Sequence, residues 1–176
     1  MIQGKGKDIF KLFLTVVFLI SLLGGWAKPA RGVGETCTWN GSVSADWSTA
    51  GNWSCSNVPG VEDDVVVPDV TPHPVYSGDS SISVNSIVIQ TYATLKIANT
   101  YTIGLDANTW QIDGKLWIYS TSDWGVGVRI NENASNGMIT VSSNGDIHLD
   151  IPYGYMQIRK TYNNNGILRS RSDVQG

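Results

Sequence analysis

The stretch Ala93-Thr-Leu95-Lys-Ile97 decides the fold, because its small-x-apolar-x-apolar pattern returns three times further along the chain. The later copies are Gly114-Lys-Leu116-Trp-Ile118, Gly137-Met-Ile139-Thr-Val141 and Gly145-Asp-Ile147-His-Leu149. The first three copies begin 21 and 23 positions apart. Apolar and polar residues that alternate at period two indicate half-buried strands. Their recurrence at this interval is typical of successive rungs of a β-solenoid.

We therefore expect an all-β fold, a short parallel β-helix (solenoid) in which each coil pairs its backbone groups with the coils above and below. Helix signals are nearly absent after the first 27 residues, whereas Val, Ile, Thr, Tyr and Trp alternate with Ser, Asn and Gly. This composition is typical of strands separated by frequent turns. A β-sandwich remains the alternative, because it produces many of the same signals and the fourth copy begins only 8 positions after the third.

A tryptophan-rich stretch lies between Cys37 and Cys55, the two cysteines of the chain. It holds Trp39, Trp47 and Trp53, three of the seven tryptophans. Such density suggests an aromatic plug at one end of a β structure. We expect these indoles to form a structural cap, with contact to a sugar as the alternative.

The two cysteines predict a disulfide, Cys37–Cys55, because an even and close pair in an exported chain usually forms one. A zinc site is the weaker alternative. Two thiols 18 positions apart, with His73 and His148 as the two histidines of the chain, are a poor match to a zinc ligand set.

Residues 1–27 have the pattern of a secretory signal peptide. Three lysines precede an apolar run from Leu12 to Leu23, and the small residues Gly25 and Ala27 occupy the cleavage positions. A membrane anchor is the alternative, but the run is shorter than the roughly 20 residues that span a bilayer. We expect a secreted or cell-surface protein with no membrane span after cleavage.

The remaining chain divides into three predicted parts. They are an N-terminal tail with the disulfide-closed Trp-rich cap at 28–60, β-solenoid rungs at 61–150, and a terminal strand and turn at 151–176. The last part lacks a convincing cap for the open edge of a solenoid, so truncation of the chain is an open alternative. The formal net charge of −3 argues against a nucleic-acid partner, which needs clustered Lys and Arg.

The Trp-rich stretch resembles the N-terminal segment of exported bacterial surface proteins, including adhesin-like, autotransporter-like and Bacteroidetes-type secreted chains. The resemblance rests on Trp39-x-Gly41, Asp46-Trp47, Asn52-Trp53, Pro59 and Asp64-Val65-Val66-Val67. The resemblance is close over residues 37–70, whereas over residues 82–149 it is limited to the general character of the sequence. It implies a surface location, a capping role for the tryptophans and a right-handed parallel β-helix behind them, and it does not imply an enzyme.

Exposed aromatic residues are the candidate glycan-binding groups. Trp117 lies between Leu116 and Ile118, so strand alternation places it on the outer face, and Tyr119 shares its parity. Trp124 lies in a turn-like run. Trp117, Tyr119 and Trp124 are the candidates for contact with a surface glycan, and an extracellular protein is the other candidate partner. The alternative is a surface covered by a loop.

The densest acidic group comprises Glu62, Asp63, Asp64 and Asp69. Oxygen-rich loops can hold Ca²⁺, but neither an EF-hand spacing nor a nonapeptide calcium repeat is present. We favour a solvated turn and expect no metal or other cofactor, with calcium as the weak alternative.

Catalytic patterns are sparse. Asp146, His148 and Asp150 alternate with apolar residues and would project outward on one strand, and Arg129 is outward by the same logic. Such a strip could supply an acid and a base, although outward strand positions are usually simply polar. The chain carries no nucleophile elbow, phosphate loop or HExxH helix.

We therefore expect a non-enzymatic surface scaffold or adhesin-like module, and assign no catalytic residue. The alternative is a carbohydrate-active enzyme of the polysaccharide lyase or hydrolase type, or its carbohydrate-binding accessory domain.

Overall fold

The computed structural model describes residues 34–99, 102–120, 127–131, 137–151, 155–158 and 161–170. The chain divides into two units, Met1–Gly32 and Val33–Gly176, and every described residue belongs to the second. The expected signal peptide at 1–27 and the candidate ligand residue Trp124 lie outside the described residues. Within them, no helix is long and apolar enough to cross a membrane.

The described residues form strands and one short 3-10 helix, Ala50–Asn52. The strands are β1 (Thr36–Thr38), β2 (Asp64–Val67), β3 (Val75–Tyr76), β4 (Ile82–Ile89), β5 (Thr94–Asn99), β6 (Ile103–Ile112), β7 (Lys115–Ser120), β8 (Gly127–Ile130), β9 (Met138–Val141), β10 (Asp146–Asp150), β11 (Tyr155–Ile158), β12 (Thr161–Asn164) and β13 (Ile167–Ser170).

These strands build two parallel sheets. The eight-stranded sheet follows the order β1-β2-β4-β6-β8-β11, with β9 also paired to β6 and β12 paired to β9. The five-stranded sheet follows the order β13-β10-β7-β5-β3. The pairings between these named strands are all parallel. The all-β prediction is confirmed, and the antiparallel ladders of a β-sandwich do not occur among the described strands.

The register places apolar side chains in columns that run from strand to strand. In the five-stranded sheet Leu95 pairs with Leu116, and Leu116 pairs with Ile147. All three are completely buried. In the eight-stranded sheet Ile87 pairs with Trp110 in the same way. Burial of each such side chain contributes roughly 1.5–3 kcal/mol, so the columns supply the core.

The four sequence repeats belong to two different sheets. The copies that begin at Ala93, Gly114 and Gly145 contain β5, β7 and β10, which stack in the five-stranded sheet. The copy that begins at Gly137 contains β9, which pairs with β6 in the eight-stranded sheet. The prediction that the first three copies are successive rungs was therefore wrong for the third. Its short distance from the fourth arises because the chain passes from one sheet to the other between them.

Asn131 supplies a hydrogen-bond acceptor at the point where the eight-stranded sheet is interrupted. The long strand β6 is bordered by two shorter strands, β8 and β9, and Asn131 follows β8 with φ of 60° and no exposed surface. Its Oδ1 accepts hydrogen bonds from the backbone N–H of Ala107 at 3.2 Å and from the indole N–H of Trp110 at 3.0 Å. The side chain thus replaces backbone acceptors where the ladder is interrupted.

Two turns require glycine because backbone from the neighbouring layer passes against them. A Cβ on Gly114 would overlap the carbonyl oxygen of Gln90, and a Cβ on Gly145 would overlap that of Ile112. Carbonyl oxygens inside a hydrogen-bonded stack cannot move aside freely. The small first residue of the repeat is therefore a packing requirement.

We predict that Gly145→Ala lowers the free energy of unfolding by roughly 1–3 kcal/mol, the usual cost of overpacking. Gly51→Ala is the matched control, because its added Cβ would meet only the side chain of Val43, which is 66% exposed and can turn away. Urea unfolding followed by tryptophan fluorescence measures both variants. Equal midpoints for the two would contradict the packing argument.

Candidate functional site

The outer face of the five-stranded sheet carries the densest group of aromatic and charged side chains among the described residues. We call it the Trp117 face. It comprises Thr94, Lys96, Ala98, Lys115, Trp117, Tyr119, Asp146, His148, Asp150 and Arg169. These residues alternate with the buried column along β5, β7 and β10, so the same register that builds the core assembles the face.

Cross-strand pairing sets the order of side chains on the face. Lys96 pairs with Trp117, and Trp117 pairs with His148, so these three form a central row. Tyr119 lies two positions along β7 and pairs with Asp150. Directly paired side chains on one face of a sheet are within contact distance. Residues distant in sequence are thereby brought to one surface.

Trp117 is at the centre of the aromatic contacts. Its ring centroid lies 5.2 Å from that of Tyr119 with planes inclined at 44°, and 6.1 Å from that of His148 at 77°. All three side chains are half-buried. Aromatic pairs in tilted or edge-on arrangements stabilise each other modestly, so the cluster is a preformed and partly exposed platform.

Two lysines place their ammonium groups over the same indole. The Nζ atom of Lys115 lies 4.8 Å from the Trp117 ring centroid, and that of Lys96 lies 5.6 Å away. Both distances are within the range of cation–π attraction. The indole N–H of Trp117 is buried and has no hydrogen-bond partner among the described residues.

An exposed ion pair borders the face. Arg169 Nε lies 3.6 Å from Asp146 Oδ1, and the side chains are 56% and 19% exposed, respectively. An exposed pair of this kind contributes about 0–1 kcal/mol. The ion pair matters for the face because it engages Asp146, the residue that lies across the strands from Lys115.

Strand alternation in the sequence correctly predicted which residues of β7 and β10 lie on the outer face of the sheet. Trp117, Asp146 and His148 all lie on the Trp117 face, as expected from alternation. Arg129 belongs to β8 in the eight-stranded sheet and does not join the strip on β10. Trp124 lies outside the described residues.

Sequence reasoning missed the cations of the face, Lys96, Lys115 and Arg169. The signal was present in the parity of the strands, because Lys96 stands between Leu95 and Ile97 as Trp117 stands between its apolar neighbours. Lys115 lies two residues before Trp117 on the same strand, whereas only the cross-strand register shows that Lys96 lies beside the indole and that Arg169 pairs with His148.

The three tryptophans of the N-terminal stretch are buried together. Trp39, Trp47 and Trp53 are 1–2% exposed. The Trp39 and Trp53 rings pack edge-on with centroids 5.0 Å apart, and the Trp47 and Trp53 rings do so at 4.6 Å. The Trp53 indole donates to the carbonyl of Trp47 at 2.8 Å. Their ring faces are covered, so these indoles present no surface for stacking on a sugar.

The same stretch hydrogen-bonds to an early strand of each sheet, β2 of the eight-stranded sheet and β3 at the edge of the five-stranded sheet. The backbone N–H of Trp39 donates to Val66 of β2 at 2.9 Å, and that of Trp47 donates to Val75 of β3 at 3.0 Å. The Cys37–Cys55 disulfide is present, as predicted, with the Cα atoms 5.1 Å apart. It closes the stretch as a loop beside these contacts.

Two of the four acidic residues considered for calcium, Asp63 and Asp64, accept hydrogen bonds from the protein itself, whereas Glu62 and Asp69 are exposed. The Asp63 carboxylate accepts hydrogen bonds from the backbone N–H groups of Glu35 at 3.2 Å and Gly60 at 2.8 Å. The Asp64 carboxylate accepts one from the Asn85 amide at 2.9 Å. Among the described residues, no three His, Cys, Asp or Glu side chains are grouped so that they could hold a metal ion.

A concavity of about 420 Å³ lies on another part of the chain, between Trp47 and the loop that precedes β4. The Tyr76 hydroxyl in it donates a hydrogen bond to the carbonyl of Ser80. Burial raises the pKa of Tyr76 above its ordinary value. Asp79 is the charged side chain in its lining, which makes this concavity unsuited to anions.

The fold and the Trp117 face define an all-β domain of parallel sheets with a partly exposed aromatic and cationic surface. The chain belongs to the family DUF8693, a domain of unknown function, whose model matches residues 38–157. The matched range contains the tryptophan cluster and the whole Trp117 face except Arg169. No curated protein and no solved structure shows significant similarity to the chain.

We predict that the double variant Cys37→Ser, Cys55→Ser lowers the free energy of unfolding by about 3 kcal/mol, because the disulfide restricts the unfolded chain. Dithiothreitol should lower the stability of the native protein by a similar amount and leave the variant unchanged. Chemical denaturation with and without reductant makes the comparison. Unchanged stability after removal of the disulfide would contradict the prediction.

Proposed function

We propose that the protein is an exported β-solenoid module that acts as a non-enzymatic surface scaffold or adhesin-like domain and contacts glycans through the Trp117 face. The observation that carries the proposal is the half-buried aromatic cluster around Trp117 on an otherwise polar outer sheet face. A rigid sheet would hold this cluster in place and present it to a ligand at little cost in conformational entropy.

The solenoid assignment is supported by the pairing pattern. Strands of the five-stranded sheet pair in parallel with the strand one layer before and one layer after, as β5, β7 and β10 do. The chain visits the eight-stranded sheet between these strands. This alternation is what successive coils produce. Right-handed winding is the general rule for parallel crossovers, and it agrees with the resemblance to exported β-helical proteins.

The capping role of the N-terminal stretch is supported by its hydrogen bonds and its burial. An uncovered first strand would expose backbone donors and acceptors to pairing with other chains. Trp39 directly follows β1, the edge strand of the eight-stranded sheet, and hydrogen-bonds to β2, while Trp47 hydrogen-bonds to β3, the edge strand of the five-stranded sheet. Their indoles are buried with that of Trp53. We infer that this stretch seals the start of the solenoid and that the Cys37–Cys55 disulfide holds the seal closed.

Export is supported by the signal-peptide pattern of residues 1–27 and by the disulfide. Disulfides persist mainly in oxidising compartments outside the cytosol. A secreted or cell-surface location would place the Trp117 face among extracellular glycans and proteins.

Glycan contact is supported by the chemistry of the face. The C–H groups of a sugar ring are weakly positive and pack on the negative face of an indole. Hydroxyl groups around the ring can accept from or donate to the polar side chains that surround Trp117, such as Lys96, His148 and Asp146. A mixed aromatic and polar surface therefore suits a saccharide better than a purely apolar ligand.

A carbohydrate-active enzyme is the second candidate, favoured by one observation. His148 contacts Trp117 and stands between Asp146 and Asp150 on the outer side of β10. A histidine and carboxylates beside a sugar platform are the groups that acid–base catalysis uses. Release of reducing or unsaturated sugars that is lost in His148→Ala would establish this candidate instead.

We predict that the purified protein is retained on at least one insoluble polysaccharide or arrayed glycan and that Trp117→Ala weakens this binding at least about tenfold, because the stacking surface is removed. A tenfold loss corresponds to about 1.4 kcal/mol. Gln157→Ala, an exposed residue of β11 in the other sheet, is the matched control and should bind normally.

Circular dichroism of both variants checks that the fold is retained. Absence of binding to every glycan tested, or equal binding by Trp117→Ala and the native protein, would contradict the proposed function. Assays for released sugar on the retained polysaccharides separate binding from turnover.

A further inference from the structure

We infer that the glycan of the Trp117 face is anionic, a sugar polymer bearing carboxylate or sulfate groups, and that it runs from Trp117 into a groove beside Tyr92. The inference rests on the proposed glycan binding and adds the chemical class of the ligand. It is carried by two observations, the arrangement of Lys96 and Lys115 and the shape of the surface next to them.

Both lysines lie beside Trp117 without a carboxylate partner among the described residues. Lys96 and Lys115 both lie within 6 Å of the Trp117 ring centroid. The carboxylate nearest in register is that of Asp146, which pairs with Lys115 across the strands but forms its ion pair with Arg169 instead. Two ammonium groups within 6 Å of one ring centroid make the surface around Trp117 positive, so an anionic group beside the ring would be favoured.

The positive charge is local to this surface. The whole chain carries a formal net charge of −3, whereas the Trp117 face holds three cations, Lys96, Lys115 and Arg169. Its carboxylates, Asp146 and Asp150, both lie on β10, on the side of Trp117 away from Lys96. A patch opposite in sign to the rest of the chain attracts ligands of complementary charge.

A groove extends the face at the starts of β5 and β7. We call it the Tyr92 groove, a concavity of about 490 Å³. Its lining includes Tyr92, Thr94, Lys115, Asn144, Asp146 and Ile167. Thr94, Lys115 and Asp146 belong to both the groove and the Trp117 face, so the two surfaces are continuous.

Tyr92 is an aromatic residue displayed at the groove. It is 82% exposed and adopts φ of 67°, in the left-handed region that few side chains favour. Tyr92 lies two residues before β5 begins, and Trp117 pairs with Lys96, which lies two residues inside β5. The step from Thr94 to Lys96 alone spans about 7 Å at 3.3 Å per residue, so a ligand that touches both Trp117 and Tyr92 is longer than one sugar ring.

The experiment compares three soluble polymers as probes: polygalacturonate with carboxylates, dextran sulfate with sulfates, and neutral dextran. Affinity for each is measured by biolayer interferometry with the purified protein at low and high salt. We expect at least fivefold tighter binding to one anionic polymer than to neutral dextran. We also expect that binding to weaken severalfold as salt screens the lysines.

The variant Lys96→Gln, Lys115→Gln tests the two ammonium groups, and we expect at least about tenfold weaker binding to the anionic polymer. The arginine double variant, Lys96→Arg, Lys115→Arg, keeps both charges and should retain most of it. Val43→Glu, Gln157→Glu changes the net charge by the same amount at exposed positions away from the face and is the matched control. Equal loss in this control and the glutamine variant would overturn the inference, because only overall charge would then matter.

Tyr92→Ala tests the path into the groove. We expect it to weaken binding of the long anionic polymer and to leave binding of a single charged sugar unit unchanged. Equal effects on the two ligands, or no effect on either, would overturn the path.

The outcomes distinguish this inference from the proposed function. Salt-independent binding to neutral glycans that is lost in Trp117→Ala would overturn the anionic ligand and leave glycan binding in place. Absence of binding to every polymer and glycan would overturn both. Equal affinity for double-stranded DNA or anionic lipid vesicles would overturn the assignment to a sugar polymer.

Discussion

In-register parallel pairing of β5, β7 and β10 is the constraint on which the rest of the structure depends. The pairing of Leu95 with Leu116 and of Leu116 with Ile147 builds a completely buried column. Because side chains alternate between faces at period two, the same register fixes the outer row that contains Trp117. A slip by one residue would turn the core outward and the row inward. The core and the candidate site are thus the inner and outer faces of the same sheet. Burial of the apolar column stabilises the sheet and so fixes the positions of the residues on the outer face.

Stacked parallel strands create a second requirement, which is closure of the first edge. The stretch between Cys37 and Cys55 meets it with backbone hydrogen bonds to both sheets and with a cluster of buried indoles. Trp53 is central to this cluster, since it packs edge-on against Trp39 and Trp47 and donates its indole N–H to a backbone carbonyl. Large aromatic groups suit this position because each covers much apolar area and still satisfies its polar atom. The tryptophans thus have different positions: Trp39, Trp47 and Trp53 are buried at the edge, Trp110 is buried inside the eight-stranded sheet, and Trp117 lies on the outer face.

Local pattern predicted a good part of this arrangement. Alternation around Leu116 predicted the strand, its buried side and the outward position of Trp117, because period two depends only on neighbours in sequence. The disulfide followed from the number and spacing of the cysteines. Pairing could not be read in the same way, because it depends on which segments stack. The copy at Gly137 looks like its neighbours but belongs to the other sheet, and the position of Lys96 beside Trp117 becomes visible only after the register is known. The Asn131 side chain shows the same limit, since its acceptor role exists only beside the interrupted ladder.

Cross-linking of engineered cysteine pairs tests the register most directly. Ala98 pairs with Tyr119 across β5 and β7, whereas Lys115 lies four residues before Tyr119 in β7, about 13 Å from it at 3.3 Å per residue. Side chains at 98 and 119 should therefore be close, while those at 98 and 115 are separated. With a short bifunctional thiol reagent, the account predicts efficient cross-linking in Ala98→Cys, Tyr119→Cys and very little in Ala98→Cys, Lys115→Cys. Preferential cross-linking of the second pair would contradict the register, and with it the column and the face that the register builds.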